Sequence, residues 1–211
     1  MLLAHHPELV TSLREPSPAE PWRVLVSACL AGELCGVDGG DNGGPRMLGD
    51  LLSLPALRPV PFCPERYRMG VPRTMPDLHG GDGFAVLAGR ARVLDERGRD
   101  LTEAMLEGAR AMVALAQEQR VDLAILMDMS AACGSQVISD GCRFDEPRRY
   151  QVGVGVASAA LLSAGIPVVS QRDRRTLAAL RARLDPAFVP PDDLRDHHES
   201  DWYMSAFGAP R

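Results

Sequence analysis

Short β-branched apolar runs alternate with helical stretches along this chain; two of those runs stop at a cysteine and a third leads into a loop that carries one. Alternating strands and helices of this kind predict an α/β fold with a mainly parallel sheet flanked by helices. The expectation is a single Rossmann-like domain over residues 22–185, with an N-terminal extension at 1–21 and a C-terminal tail at 186–211. Its 211 residues are ample for one sizeable core.

Composition narrows the function classes. The chain is 45% hydrophobic and 24% charged, with a formal net charge of -5. That balance gives no electrostatic reason to expect a long nucleic-acid partner. No stretch reaches the roughly 20 apolar residues of a membrane span, so no membrane partner is expected. Met1 to Pro21 lacks the basic start and apolar run of a secretory signal, which predicts a cytoplasmic location. The oligomeric state is not written in these features.

The elements follow in order. Pro16, Pro18 and Pro21 discourage regular structure in the leader. Arg23 to Ala28 is a buried strand by composition, followed by a glycine-rich loop from Gly36 to Pro45. Leu48 to Leu54 reads as a short helix, and Arg58 to Phe62 as a strand interrupted by prolines. Residues 64–83, rich in Pro, Gly and Arg, read as a long loop or lid. Phe84 to Leu94 reads as a strand pair turned at Ala88-Gly89.

Asp100 and Glu103 suggest a capping box opening a helix of about twenty residues. Leu101, Met105, Met112, Leu115 and Ala116 share one face of that helix and are core. Val121 to Met127 is the clearest buried strand. Val152 to Ala164 is a small-residue helix, Ile166 to Ser170 a last strand, and Asp173 to Leu184 a basic amphipathic helix. The tail beyond Pro186 is expected to wrap the surface or to be partly mobile, with Trp202-Tyr203 free to cover a pocket, pack on a sheet edge or meet a partner.

Cys29, Cys63 and Cys133 each stand where a predicted strand runs into a loop: Ser27-Ala28-Cys29-Leu30, Phe62-Cys63-Pro64-Glu65 and Ser130-Ala131-Ala132-Cys133. Ligands of open α/β sheets bind beyond the carboxyl ends of the strands. Three thiols delivered there could hold one metal centre and leave a coordination position free, the mark of a site that does chemistry. Thiolates suit zinc and iron–sulfur clusters alike, and neither paired Cys-x-x-Cys knuckles nor ferredoxin spacing is present. The bland alternative is that these are buried thiols acting as small hydrophobes.

The ordered segments Val26-Ser27-Ala28-Cys29-Leu30, Val37-Asp38-Gly39-Gly40, Phe62-Cys63-Pro64-Glu65, Gly80 to Val93 and Cys133 to Gly141 resemble the thiouracil desulfidase family, from about Val24 to about Ser170. The resemblance implies a 4Fe-4S cluster held by Cys29, Cys63 and Cys133, with the fourth iron open to a substrate sulfur. Cys35 and Cys142 are not counted as ligands. It also implies non-redox removal of sulfur from a thiolated pyrimidine, as base or nucleotide, with release of sulfide. Three features depart from the family pattern, the first being that an Arg common in the proline-rich loop falls near Met75, with Arg73 two residues away. Ser130-Ala131-Ala132-Cys133 stands for Ser-Pro-Ser-Cys, and Met127-Asp128-Met129 for Lys-Glu-Arg.

Within that reading Glu65, two residues from a ligand and stiffened by Pro64, is the candidate general base. Ser130 would bond the ring or the attacking water; its plainer role is a turn hydroxyl. Ser27, Asp38 and Arg73 are candidate substrate-binding residues, and Arg143 shares with Arg73 the capacity to meet a phosphate. His5, His6, His79, His197 and His198 are not expected to bind metal. The Gly80-Gly81-Asp82-Gly83 turn lacks the helix of a dinucleotide site. Two other readings stay open: a cluster- or zinc-binding sensor without catalysis, and a desulfidase for another sulfur compound.

Overall fold

Apolar runs at 22–27, 57–62, 123–126 and 168–170 pair into one parallel sheet in the computed structural model, which describes residues 7–41 and 44–208. In chain order the elements begin α1 (Pro7–Ser12), β1 (Trp22–Ser27), α2 (Gly44–Leu52), β2 (Leu57–Phe62), α3 (Pro64–Met69), β3 (Asp77–His79), α4 (Gly83–Leu87) and β4 (Arg92–Leu94). They continue with α5 (Thr102–Glu118), β5 (Leu123–Leu126), β6 (Val137–Ser139), β7 (Tyr150–Val152), α6 (Val156–Ser163), β8 (Val168–Ser170), α7 (Arg174–Leu184) and α8 (Asp201–Phe207). The sheet order is β2-β1-β5-β8, all parallel. His5, His6, Asn42 and Gly43 lie outside the described residues.

Side chains on a strand alternate between the two faces of its sheet. Leu25, Ala124, Leu126 and Val168 meet Met105, Ala109, Met112 and Ala116 of α5 and Val156 and Leu161 of α6. Val24, Val26, Leu123, Ile125 and Val169 face the other way, toward Leu48 and Leu51 of α2 and Leu180 of α7. The sheet is thus covered on both sides, as a parallel sheet requires. Pro59 and Pro61 are tolerated because β2 is an edge strand.

Several expectations need correction. Phe84 to Leu94 is not a strand pair: Asp82 Oδ1 accepts the Ala85 N–H at 3.1 Å and starts α4, leaving only β4, which pairs with β3. An apolar run this short fits helix or strand equally, and the cap decides. Residues 64–83 carry α3 and β3 rather than a continuous loop. The capping box at Asp100 does not form, because Asp100 Oδ1 accepts from Thr102 and Glu103 pairs with Arg110. The 1–21 leader is not wholly irregular, since α1 precedes its prolines. The hairpin of β6 and β7 had no counterpart in the sequence reading.

The tail folds back as well. Ser200 accepts the Tyr203 N–H at 3.2 Å to start α8, and Tyr203 is buried. No helix among the described residues is long and apolar enough to cross a membrane.

Candidate metal centre

The carboxyl ends of all four sheet strands open onto one cavity of about 460 Å³. Ser27 and Cys29 come from the end of β1, Cys63 and Glu65 from that of β2, Asp128, Ser130 and Cys133 from that of β5, and Gln171 and Arg172 from that of β8. Cys35 reaches the same cavity from the loop after β1. Four of the five cysteines therefore share it.

Each thiol is held by its own local device. Cys63 caps α3, its sulfur accepting the Arg66 N–H at 3.3 Å, with Pro64 in the first turn where no donor is lost. The Cys35 thiol is in hydrogen-bonding contact with the thiols of both Cys29 and Cys63. That hydrogen bond, together with the Arg66 N–H, outweighs burial and lowers the Cys63 thiol to about 7, while Cys35 is pushed up and keeps its proton. Burial raises Cys133, opposed by a hydrogen bond with the Ser27 hydroxyl. Ser27 also accepts the Met127 N–H at 3.0 Å, so one hydroxyl ties β1 to β5 at the cavity wall.

The Cys133 turn is rigid for readable reasons. Met129 sits in the left-handed region at φ 59, a costly conformation for a residue with a side chain, and its N–H donates to the Val137 carbonyl at 3.1 Å. Ser130 Oγ accepts the N–H groups of Ala132 and Cys133 at 3.2 and 3.1 Å and donates to Glu65 Oε1 at 3.1 Å. It is thus both a turn hydroxyl and a partner of the carboxylate. Ala131 and Ala132 lie buried under the start of α6, where a Cβ on Gly155 would stand 2.5 Å from the Ala132 carbonyl. The backbones touch there, so small residues suit these positions.

Glu65 is buried, with Arg73 as counter-charge: Arg73 Nη2 and Nε reach Glu65 Oε2 at 2.6 and 3.1 Å. Arg73 Nη1 goes to the carbonyls of Cys35, Gly36 and Gly70. Arg73 thus spends its donors on the protein rather than on the cavity. Asp38 lies at the rim and accepts the Gly40 N–H at 2.9 Å, as a turn residue does. Arg143 also lines the cavity, its Nε on buried Asp77 at 2.7 Å. Cys142 does not line it.

Asp128, Arg172 and Cys35 belong to the cavity although the sequence reading gave them no part in it. Asp128 is buried. Desolvation opposes its charge, but hydrogen bonds from His197, Ser135 and Gln136 hold its carboxyl below the usual range. Cys35 had a signal, six residues after Cys29 across a glycine-containing turn. Among the described residues, no three His, Cys, Asp or Glu side chains stand close enough to share one metal ion.

Comparison with known proteins places the chain in a family. The family model described as 2-thiouracil desulfurase matches residues 24–173. A protein of Bacillus subtilis (strain 168), the uncharacterized protein YbbK, is 32% identical over 151 residues, 71% of this chain and 96% of that protein. A solved structure named as a 4Fe-4S-dependent thiouracil desulfidase, TudS (DUF523Vcz), is similar with a TM-score of 0.58 and 30% identity, over 74% of this chain and 95% of the other. All five strand-end and loop positions that carry Ser27, Cys29, Cys63, Glu65 and Cys133 fall inside the matched span, and the chain belongs to the 2-thiouracil desulfurase family.

Proposed function

We propose that the chain is a desulfidase that holds a 4Fe-4S cluster through Cys29, Cys63 and Cys133 and replaces the sulfur of a thiolated pyrimidine, as base or nucleotide, by oxygen. The observation that carries this reading is the meeting of these thiols with a buried, counter-charged carboxylate and its serine in one cavity. The donor set fits the cluster. Soft thiolates suit iron–sulfur centres, and Cys29, Cys63 and Cys133 arrive at one cavity from three separate strand ends.

When bound, the cluster supplies a thiophilic Lewis acid that polarises a C=S bond. The protein groups do the rest. Glu65 takes the proton of the attacking water at Oε1, where Ser130 already points. Ser130 holds that carboxylate in place, its hydroxyl donating to Oε1 while accepting two backbone N–H groups. Arg73 positions Glu65 and stiffens the Cys35 loop, in place of contacting substrate. Ser27 steadies the Cys133 sulfur, and Asp38 shapes the rim. Sulfide leaves as product and no net electron transfer is needed.

The test is sulfide release from 2-thiouracil and a thiouridine monophosphate after anaerobic reconstitution, with Cys63→Ala alongside. The native chain is expected to take up about four irons, as a 4Fe-4S cluster requires, and to release sulfide. Cys63→Ala is expected to do neither. A sensor without catalysis would bind the irons and release nothing.

A further inference from the structure

Asp128 and His197 are 69 residues apart, yet His197 Nδ1 and Asp128 Oδ2 stand 2.7 Å from each other with both side chains buried. His197 lies in the tail, beyond the 24–173 span that matches the family. Asp128 lines the cavity. Its other oxygen, Oδ1, accepts the N–H groups of Ser135, Gln136 and Val137 at 2.9, 3.1 and 3.3 Å, so one carboxylate closes the far side of the turn carrying Ser130 and Cys133.

The histidine is itself held on several sides. Trp202 of α8 stacks on its ring at 5.6 Å and 12°, and Tyr203 meets it edge-on at 5.8 Å. Its backbone N–H donates to Asp173 Oδ1 at 3.1 Å, and Asp173 in turn accepts Gln136 Nε2 at 2.5 and 2.6 Å. The tail therefore grips the turn at Asp128 and, through Asp173, at Gln136.

We propose that His197 is a positioning residue for the metal centre. The C-terminal segment docks it against Asp128 so that the Cys133 turn is held in shape before any ligand arrives. A carboxylate accepting three backbone N–H groups works as a template only while its second oxygen is fixed, and His197 fixes it. The tail is then a working part of the site rather than a surface wrap. The proposal rests on the reading of this cavity as the cluster site only for its consequence on iron, since the ordering of the turn is a property of the metal-free chain.

The experiment is amide hydrogen exchange across residues 128–137 in the full metal-free chain, followed by iron retention in air after reconstitution. His197→Phe keeps the aromatic packing and removes the hydrogen bond; His197→Asn returns a donor near the Nδ1 position. His197→Phe is expected to speed exchange at Ser135, Gln136 and Val137 on the order of tenfold, as loss of a hydrogen bond to a charged group would, with the β1 and β5 amides unchanged. It should also shorten iron retention, and His197→Asn should restore both. Native exchange in His197→Phe, general unprotection of the sheet, or His197→Asn behaving like His197→Phe would each overturn the proposal. If the native chain took up no iron, the cluster reading would fail while the exchange result still stood.

Discussion

Glu65 shows how much one residue's environment decides. Its place two residues after Cys63 was legible, because Cys63-Pro64-Glu65 must put a carboxylate near any group the cysteine holds. Its partners were not legible: Arg73 is eight residues away and Ser130 sixty-five, and Ser130 reaches it only because the parallel sheet delivers the ends of β2 and β5 to one cavity. Glu65→Gln keeps the shape while removing the proposed base; its one amide oxygen can go on accepting from Arg73, and its NH2 no longer accepts from Ser130. It is expected to retain iron and to lose sulfide release by about 10²–10⁴-fold, checked by iron assay and initial rates. Full activity in that variant would remove Glu65 from the chemistry. Arg73 teaches the opposite lesson. Arginine in a Pro-rich loop looks available for substrate, but its donors had nearer acceptors in Glu65 and three carbonyls.

At the scale of elements, α5 and α3 hold half of the site in place by touching backbone to backbone. A Cβ on Gly108 would lie 2.2 Å from the carbonyl oxygen of Pro64, the residue between Cys63 and Glu65. Helix propensity favours alanine there, but the close approach outweighs it, and Gly108→Ala is expected to cost about 1–3 kcal/mol. Urea unfolding of the metal-free variant would measure this, and a stabilised variant would show that α3 moves freely. The β-branched runs of β1, β5 and β8 and the apolar face of α5 were legible because burial imposes a period on sequence. Elements α4, β3 and the β6–β7 hairpin were not, because each is only three to five residues long and is set by a cap or a partner strand.

For the whole molecule, the same network that closes the site also sets its response to pH. Burial raises the Asp173 carboxyl from 3.8 to about 6. A raised acid favours the protonated fold, so the contribution is present below the unfolded value and is lost as pH rises through about 6. Asp128 is shifted down, and its contribution is lost only as pH falls below 3.8. Between pH 7 and pH 5 the metal-free native chain should therefore gain stability relative to Asp173→Asn, by ~1 kcal/mol. Urea midpoints of the two at both pH values would show it; a constant gap would contradict it. The tail that completes this network was unreadable in advance, because proline- and charge-rich sequence gives no sign that His197 will be buried. The account as a whole turns on one assay: sulfide released anaerobically from 2-thiouracil by the chain reconstituted to about four irons. Sulfide and uracil formed in equal amounts over many turnovers are the predicted result. Four irons bound with no sulfide from either the base or the nucleotide would contradict it.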